Sequence, residues 1–158
     1  MTRAAIAVCA VAVLAGCAGQ RVGGIKVGVP GSWARADESE KLTRFTDPAG
    51  ATVIVGTEQQ EVEEGSRGAT PHVCADQMAM NRGVARDADF TKLQLDGYPA
   101  YRVKHATEKG EPSYVLIGCD GFTSWFIEVR DSRGEKKLDE LRAQLEPTIH
   151  YAHAGKAE

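Results

Sequence analysis

The chain has 158 residues, a formal net charge of −3 and a hydrophobic fraction of 42%. This length suits one domain with a core of its own. No basic cluster stands out, which argues against nucleic acid as a partner and against a purely electrostatic membrane patch. Internal repeats, heptads and low-complexity tracts are absent from the sequence. We therefore expect a single globular domain.

The first 17 residues have the parts of an export signal. Arg3 supplies a positive charge, and an apolar run of about eleven residues (4–14) follows it. A membrane span needs roughly 20 apolar residues, so this run is too short to be one. It ends in the letters LAGC, where Cys17 follows two small residues. This ending resembles the lipobox of bacterial lipoproteins.

The lipobox resemblance implies that Cys17 becomes the lipidated first residue of the mature protein. Its thiol would take a diacylglyceryl group, the bond before it would be cut, and the new amine would be acylated, for instance by palmitate. Two or three acyl chains anchor a protein stably where one does not, since each buried methylene contributes about 0.8 kcal/mol. A plain cleaved signal with a coincidental cysteine is the alternative.

The resemblance also predicts a location and a set of boundaries. The protein would lie in the bacterial cell envelope, on the outer side of the inner membrane or on the outer membrane. Ala18 after the anchor is similar to outer-membrane sorting signals of Gram-negative bacteria. Removing the signal takes away Arg3 and no acid, so the charge changes from −3 to −4. We expect a signal at 1–16, a lipidated tether at 17–24, one domain at 25–149 and a flexible tail at 150–158.

The first half of the domain predicts a meander of strands. Residues 25–29 alternate apolar and polar or small side chains, a weaker strand is expected at 40–45, and residues 51–57 are rich in β-branched side chains. A polar stretch follows at 58–69. Thr70 and Pro71 then have the pattern of an N-cap and a first helical residue, which predicts a helix over 71–81 ending near Gly83. Such a helix places Cys74, Met78 and Asn81 on one stripe and should bring Cys74 over the sheet.

The second half predicts four strands and a closing helix. The strands are expected at 90–95, 100–106, 113–119 and 123–130, with Asp-Gly turns at 96–97 and 120–121. The spacing of Ser132 and Glu135 fits a capping box at the start of the last helix. Pro147 should end that helix. Its apolar stripe, which should face the sheet, comprises Leu138, Leu141 and Leu145.

Two cysteines remain once the signal and the lipidated residue are set aside. Cys74 and Cys119 lie 45 positions apart, and an exported protein most simply joins such a pair in a disulfide. In the chain-entropy model, closing a loop of about 46 residues stabilises the fold by roughly 4 kcal/mol. A zinc pair or a redox centre fits less well, because the sequence has neither a CxxC motif nor paired histidines beside them.

Three short segments resemble PsbP-like domains. They are GIKVGVPGSW at 24–33, FTDPAG at 45–50 and LDGYPAY at 95–101. PsbP-like domains include extrinsic photosystem proteins and several small bacterial lipoproteins. The resemblance implies an α+β fold, a PsbP-like α/β/α sandwich with a central antiparallel sheet of about six or seven strands and helices packed on its faces. It implies a binding or assembly role, and it carries over no binding residue.

The sequence carries no recognisable catalytic, cofactor or haem motif, so we expect no enzyme, no cofactor and no metal. His150 and His153 have a spacing that suits a metal on a helix, but they follow Pro147. His105 is expected to be an ordinary strand residue. Trp33 and Trp125 could line a groove, although a turn anchor and a core residue are the simpler interpretations. Paired carboxylates for acid–base chemistry are conceivable in two loops, at Asp87 and Asp89 and at Glu61, Glu63 and Glu64.

These observations favour a non-enzymatic envelope lipoprotein. The leading hypothesis is a membrane-anchored binding or assembly module for another envelope protein. One alternative is a small-ligand carrier or sensor with a pocket between sheet and helix. Another is an immunity or inhibitor protein directed against an envelope-targeting toxin.

Overall fold

The computed structural model describes residues 19–60, 70–82, 84, 90–107 and 109–152. Within the described residues the elements in chain order are β1 (Gln20–Val22), β2 (Ile25–Val27), β3 (Ala34–Ser39), β4 (Leu42–Thr46), β5 (Ala51–Gln59), α1 (Pro71–Asn81), β6 (Thr91–Leu95), β7 (Tyr98–Ala106), β8 (Pro112–Cys119), β9 (Thr123–Asp131), α2 (Glu135–Leu145) and β10 (His150–Tyr151). A single turn of 3-10 helix, Glu146–Thr148, lies between α2 and β10.

A seven-stranded antiparallel sheet forms the centre of the molecule, in the order β3-β4-β5-β9-β8-β7-β6. The long strands β5 and β9 pair over their whole length, from Ala51 opposite Asp131 to Gln59 opposite Thr123. The predicted strands of the second half are confirmed to within two residues at each end. The expected α+β fold, a central antiparallel sheet with helices on its faces, is therefore confirmed.

Alternation along the strands divides the core into two layers. We call the layer under α2 the α2 face and the layer under α1 the α1 face. The main apolar residues of the α2 face are Phe45, Val53, Val55, Leu116, Trp125, Ile127, Val129, Leu138, Leu141 and Leu145. Those of the α1 face are Ile54, Met78, Ala79, Val84, Val103, Val115, Ile117 and Phe126. The two helices thus cover opposite faces of one sheet.

The predicted tether is wrong over residues 20–22, which form a strand. Gln20–Val22 pairs with Ile25–Val27, and Val22 is buried in the core of the α2 face. The turn between them is Gly23-Gly24, with Gly23 at a φ of +52°. Two glycines between short apolar strands suit a two-residue hairpin because they accept positive φ. The glycines that suggested flexibility therefore close a hairpin.

The predicted flexible tail is also wrong at its start. His150–Tyr151 adds to the small sheet by pairing with β2, and Tyr151 is buried. The Tyr151 amide donates a hydrogen bond of 2.8 Å to Oδ2 of Asp96, and His150 Nδ1 lies 3.0 Å from Oδ1 of the same carboxylate. This segment is ordered by tertiary pairing, which local sequence does not encode. His153 lies outside the described residues.

Strand β3 is absent from the sequence-based prediction, which placed one weak strand at 40–45. The structure contains two strands there, Ala34–Ser39 and Leu42–Thr46, with a register irregularity between Asp37 and Ser39. Every residue of β3 is exposed, so it carries no apolar alternation. It is an edge strand, and charged side chains on an edge discourage pairing with other chains.

Helix α1 has the predicted bounds, and Thr70 lies at its N-cap position without a side-chain capping bond. Cys74 is buried against the sheet as expected, and on the same stripe Met78 is buried and Asn81 is exposed. Gly83 lies outside the described residues. The capping box before α2 is wrong, because Gly134 is the N-cap residue and Ser132 Oγ instead donates to the Gly50 carbonyl at 3.1 Å.

The leucine stripe of α2 is confirmed. Leu138, Leu141 and Leu145 are all buried against the α2 face. The helix ends at Leu145, two residues before Pro147, and the 3-10 turn continues the chain.

Candidate binding sites

A cleft lies between the turn after β2 and helix α2, on the α2-face side of the molecule. The turn is closed by the Trp33 amide, which donates to the Pro30 carbonyl at 3.1 Å. The Gly28 amide donates to Thr148 Oγ1 at 2.9 Å, and that hydroxyl donates to the Leu145 carbonyl at 2.6 Å. These bonds hold the turn against the end of α2. The cleft between them has a volume of about 710 Å³.

Apolar side chains form much of this cleft, which we call the Trp33 cleft. Pro30, Trp33, Leu141 and Leu145 all line it. Trp33 is half-buried and packs against the core of the α2 face. The Trp33 side chain therefore anchors the turn against the core, as predicted, and it also lines a groove, which was the alternative. A rigid aromatic ring at a cleft wall provides a large contact area at little entropic cost.

Charged groups on the rim of the Trp33 cleft neutralise one another. Arg133 Nη2 lies 2.6 Å from Asp131 Oδ2, and its Nη1 lies 3.7 Å from Asp47 Oδ2. The hydrogen bond from Arg133 holds the pKa of Asp131 below its usual value. Lys137 Nζ lies 2.7 Å from Glu140 Oε2, and that contact lowers the pKa of Glu140. The cleft thus combines an apolar wall with a charge-compensated rim.

A second cleft opens on the α1 face beyond the C-terminal end of α1. We call it the Glu128 basin; it has a volume of about 420 Å³. Val115 and Glu128 lie opposite each other on β8 and β9. The surrounding residues come from the end of α1, from the ends of β7 and β9 and from the turn between β7 and β8. The full lining is Asn81, Arg82, His105, Thr107, Lys109, Glu111, Val115, Glu128 and Arg130.

Glu128 is a buried carboxylate held by two arginines. Arg130 donates through Nε at 2.8 Å to Oε1, and its Nη2 lies 2.8 Å from the same oxygen. Arg82 Nη2 lies 3.5 Å from the other oxygen, Oε2. The Arg82 guanidinium carbon is also 3.8 Å from the centre of the Phe126 ring, a cation–π distance. A carboxylate that is only 4% exposed needs such partners, because burying an unpaired charge is costly.

The structure joins Cys74 and Cys119 in a disulfide, with their Cα atoms 6.0 Å apart. The bond connects α1 to the end of β8, and both cysteines are buried beside Ala75. The cysteine pairing expected from the sequence is thus present. Cys17 lies outside the described residues, so its lipidation stays a prediction.

The other residues considered from the sequence do not assemble into one site. Trp125 is fully buried in the core of the α2 face, and His150 pairs with Asp96. His105 lies at the margin of the Glu128 basin, on β7. Among the described residues, no group of three or more His, Cys, Asp and Glu side chains could hold a metal ion. The proposed carboxylate pairs lie outside the described residues: Asp87, Asp89, Glu61, Glu63 and Glu64.

Sequence reasoning missed the Glu128 basin, although part of its signal was visible. Alternation along β9 places Phe126, Glu128 and Arg130 on one face, and a carboxylate in the middle of a buried strand is unusual. Arg82 and Lys109 lie far away in the sequence and next to no motif. Only the packing of α1 and the β7–β8 turn brings them to Glu128.

Comparison with known proteins adds information on the fold alone. No family model and no curated protein matches the chain. Among solved structures, a crystal structure from Bacteroides thetaiotaomicron VPI-5482 is similar, with a TM-score of 0.54 and 13% sequence identity. The alignment covers 84% of this chain and 46% of that one, so this chain spans about half the length of its neighbour. The PsbP-like resemblance stays a prediction.

In the described part of the chain, neither helix is long and apolar enough to cross a membrane.

Proposed function

We propose that this protein is a non-enzymatic binding or assembly module of the bacterial envelope, which docks a partner protein in the Trp33 cleft. The observation that carries the proposal is the cleft of about 710 Å³ walled by Trp33 and lined by Leu141 and Leu145. Protein interfaces concentrate their binding energy in a few buried aromatic anchors surrounded by a polar rim.

The rim decides what kind of partner fits. Because Arg133 pairs with Asp131 and Asp47, and Lys137 pairs with Glu140, the cleft presents little uncompensated charge. An occupant therefore has an apolar side chain for the Trp33 wall, flanked by polar groups that can hydrogen-bond to the paired rim. A strongly charged ligand would have to displace these pairs. A segment of a partner protein meets both conditions.

The lipid anchor belongs to the same proposal. Strand β1 begins at Gln20, three residues after Cys17, so an extended link spans only about 10 Å. A lipidated Cys17 would hold the domain directly at the membrane surface, and the partner would be an envelope protein. The expected location is the outer side of the inner membrane or the outer membrane.

The anchor is tested by Cys17→Ala in the full chain. We expect the variant to leave the membrane fraction for the soluble fraction, because it has no thiol for the diacylglyceryl group. Cys9→Ala is the matched control, since it replaces a cysteine within the signal and should leave membrane retention unchanged. Retention of the Cys17→Ala variant in membranes would refute the anchor.

The docking cleft is tested by cross-linking the full-length protein in native membranes and identifying its partners by mass spectrometry. We expect a stoichiometric protein partner that is lost, by about tenfold or more, when Trp33→Ala removes the aromatic anchor. Phe122→Ala is the control, because Phe122 is an exposed aromatic residue outside the cleft. A partner captured equally by both variants would show that docking does not use the cleft.

The identity of a captured partner distinguishes the assembly hypothesis from the immunity or inhibitor hypothesis. A resident envelope protein supports the assembly role, whereas a toxin domain would make the protein an immunity or inhibitor protein. The small-ligand carrier is a second candidate function, and the Glu128 basin is the observation that favours it. Ligand binding that persists with no protein partner captured would move the conclusion to that candidate.

A further inference from the structure

The Glu128 basin is locally positive in a protein that is negative overall. Its lining contains three permanent cations, Arg82, Lys109 and Arg130, and two carboxylates, Glu111 and Glu128, which leaves a net charge of +1 with His105 neutral. The whole chain has a formal charge of −3. The excess of cations over carboxylates in this lining favours a ligand of negative charge.

Glu128 positions the two arginines without using all their donors. Each guanidinium has five N–H donors. The contacts with the carboxylate involve Nε and Nη2 of Arg130 and Nη2 of Arg82. Both arginine side chains remain about one-third exposed, at 34% and 37%, and both line the cavity. Arg82 is held further by its contact with the Phe126 ring. The guanidiniums are therefore preorganised and still accessible.

We propose that the Glu128 basin binds a small ligand through a phosphate group, with Arg82 and Arg130 as the principal donors and Lys109 as the third cation. Paired guanidiniums suit an oxyanion because their planar forks donate two parallel hydrogen bonds to its oxygens. The cavity of about 420 Å³ lies in the size range of small-molecule sites. Free phosphomonoesters and phospholipid headgroups share this chemistry.

This site is independent of the proposed docking cleft. The Trp33 cleft lies on the α2-face side and the basin on the α1 face, so no residue lines both. Trp33→Ala should therefore leave phosphate binding unchanged. A protein that binds phosphate but captures no partner would refute docking alone, and the reverse result would refute the basin alone.

The test is an NMR titration of the full-length protein in non-ionic detergent, observing the side-chain Nε–H signals of Arg82 and Arg130. We expect both signals to shift and saturate with inorganic phosphate, and not with chloride at matched ionic strength. Glycerol phosphate and micelles doped with phosphatidic acid distinguish a free ligand from a headgroup, according to which of them binds more tightly. The absence of a saturable shift with all three phosphate probes would overturn the proposal.

Three variants distinguish specific binding by the two guanidiniums from nonspecific attraction by the positive charge of the basin. Glu128→Gln with Arg130→Gln removes one charge of each sign, so the basin keeps its net charge while losing one guanidinium. We expect phosphate binding to weaken by about tenfold or more. Lys109→Ala, in an exposed turn, should weaken phosphate binding several-fold without affecting the fold. Lys26→Ala, on β2 and outside the basin, should leave phosphate binding unchanged. Full affinity in the double variant, or equal effects of Lys109→Ala and Lys26→Ala, would overturn the proposal.

Discussion

On each face of the large sheet an aromatic ring packs over a glycine of the neighbouring strand, but different side chains surround the two rings. On the α2 face, the ring of Trp125 fills the space where a side chain at Gly118, its cross-strand partner, would lie. On the α1 face, the ring of Phe126 does the same at Gly56. Leucines of α2 lie in the same buried cluster as Trp125, whereas the guanidinium of Arg82 covers Phe126.

This difference determines where each face can bind a ligand. On the α2 face the cleft lies at the margin of the apolar cluster, between α2 and the turn at Trp33, and Trp33, Leu141 and Leu145 line it. The α1 face extends beyond the end of its helix and keeps a buried carboxylate there. One face therefore offers an apolar wall and the other offers fixed charges.

The largest expected effect concerns the disulfide that joins α1 to β8 on the α1 face. Cys74→Ala with Cys119→Ala should lower the free energy of unfolding by about 4 kcal/mol, because the disulfide closes a loop with a sequence separation of 45. Urea unfolding with and without reductant measures this loss. Reductant should destabilise the wild type by a similar amount and leave the double variant unchanged. A wild type insensitive to reductant, in conditions where the disulfide is shown to be reduced, would contradict this prediction.

A smaller effect compares the two glycines beneath the aromatic rings. Gly118→Ala should cost about 3 kcal/mol, because the added methyl group would meet the ring of Trp125, which is fully buried. Gly56→Ala should cost only about 1 kcal/mol, because Phe126 is slightly exposed and the side chain above it, Arg82, borders solvent. Thermal unfolding of the two variants checks the ranking. Equal losses would mean that the α1 face is packed as tightly as the α2 face.

The smallest effect is a pH dependence at the rim of the Trp33 cleft. The hydrogen bond from Arg133 lowers the folded-state pKa of Asp131. Asp131 therefore contributes stability above the ordinary aspartate pKa of about 4, and this contribution is lost as the pH falls through the lower folded-state value. We expect Asp131→Asn to reduce the loss of melting temperature between neutral and acidic pH. If the melting temperature of the variant fell with pH as much as that of the wild type, the Asp131–Arg133 pair would contribute nothing to the pH dependence.

Local sequence was sufficient for those elements whose pattern matches their environment. Helix α1 starts at a Thr-Pro pair, and the leucine stripe of α2 and the alternation of β8 and β9 reflect burial on one or both faces of the sheet. The cysteine pair also followed from the sequence, because two cysteines left over in a chain with an expected export signal most simply form one disulfide. In each case the residue pattern itself encodes the burial.

Tertiary structure alone decided the rest. Strand β3 is fully exposed and exists because β4 offers it backbone partners, and β10 exists because β2 does. The basin unites Arg82, Lys109 and Glu128 from three separate stretches of chain, and the Trp33 cleft needs a turn to meet the end of a distant helix. Backbone hydrogen bonds between distant strands and contacts between separate elements produce little periodicity in the local sequence. These features are therefore visible only in the folded structure.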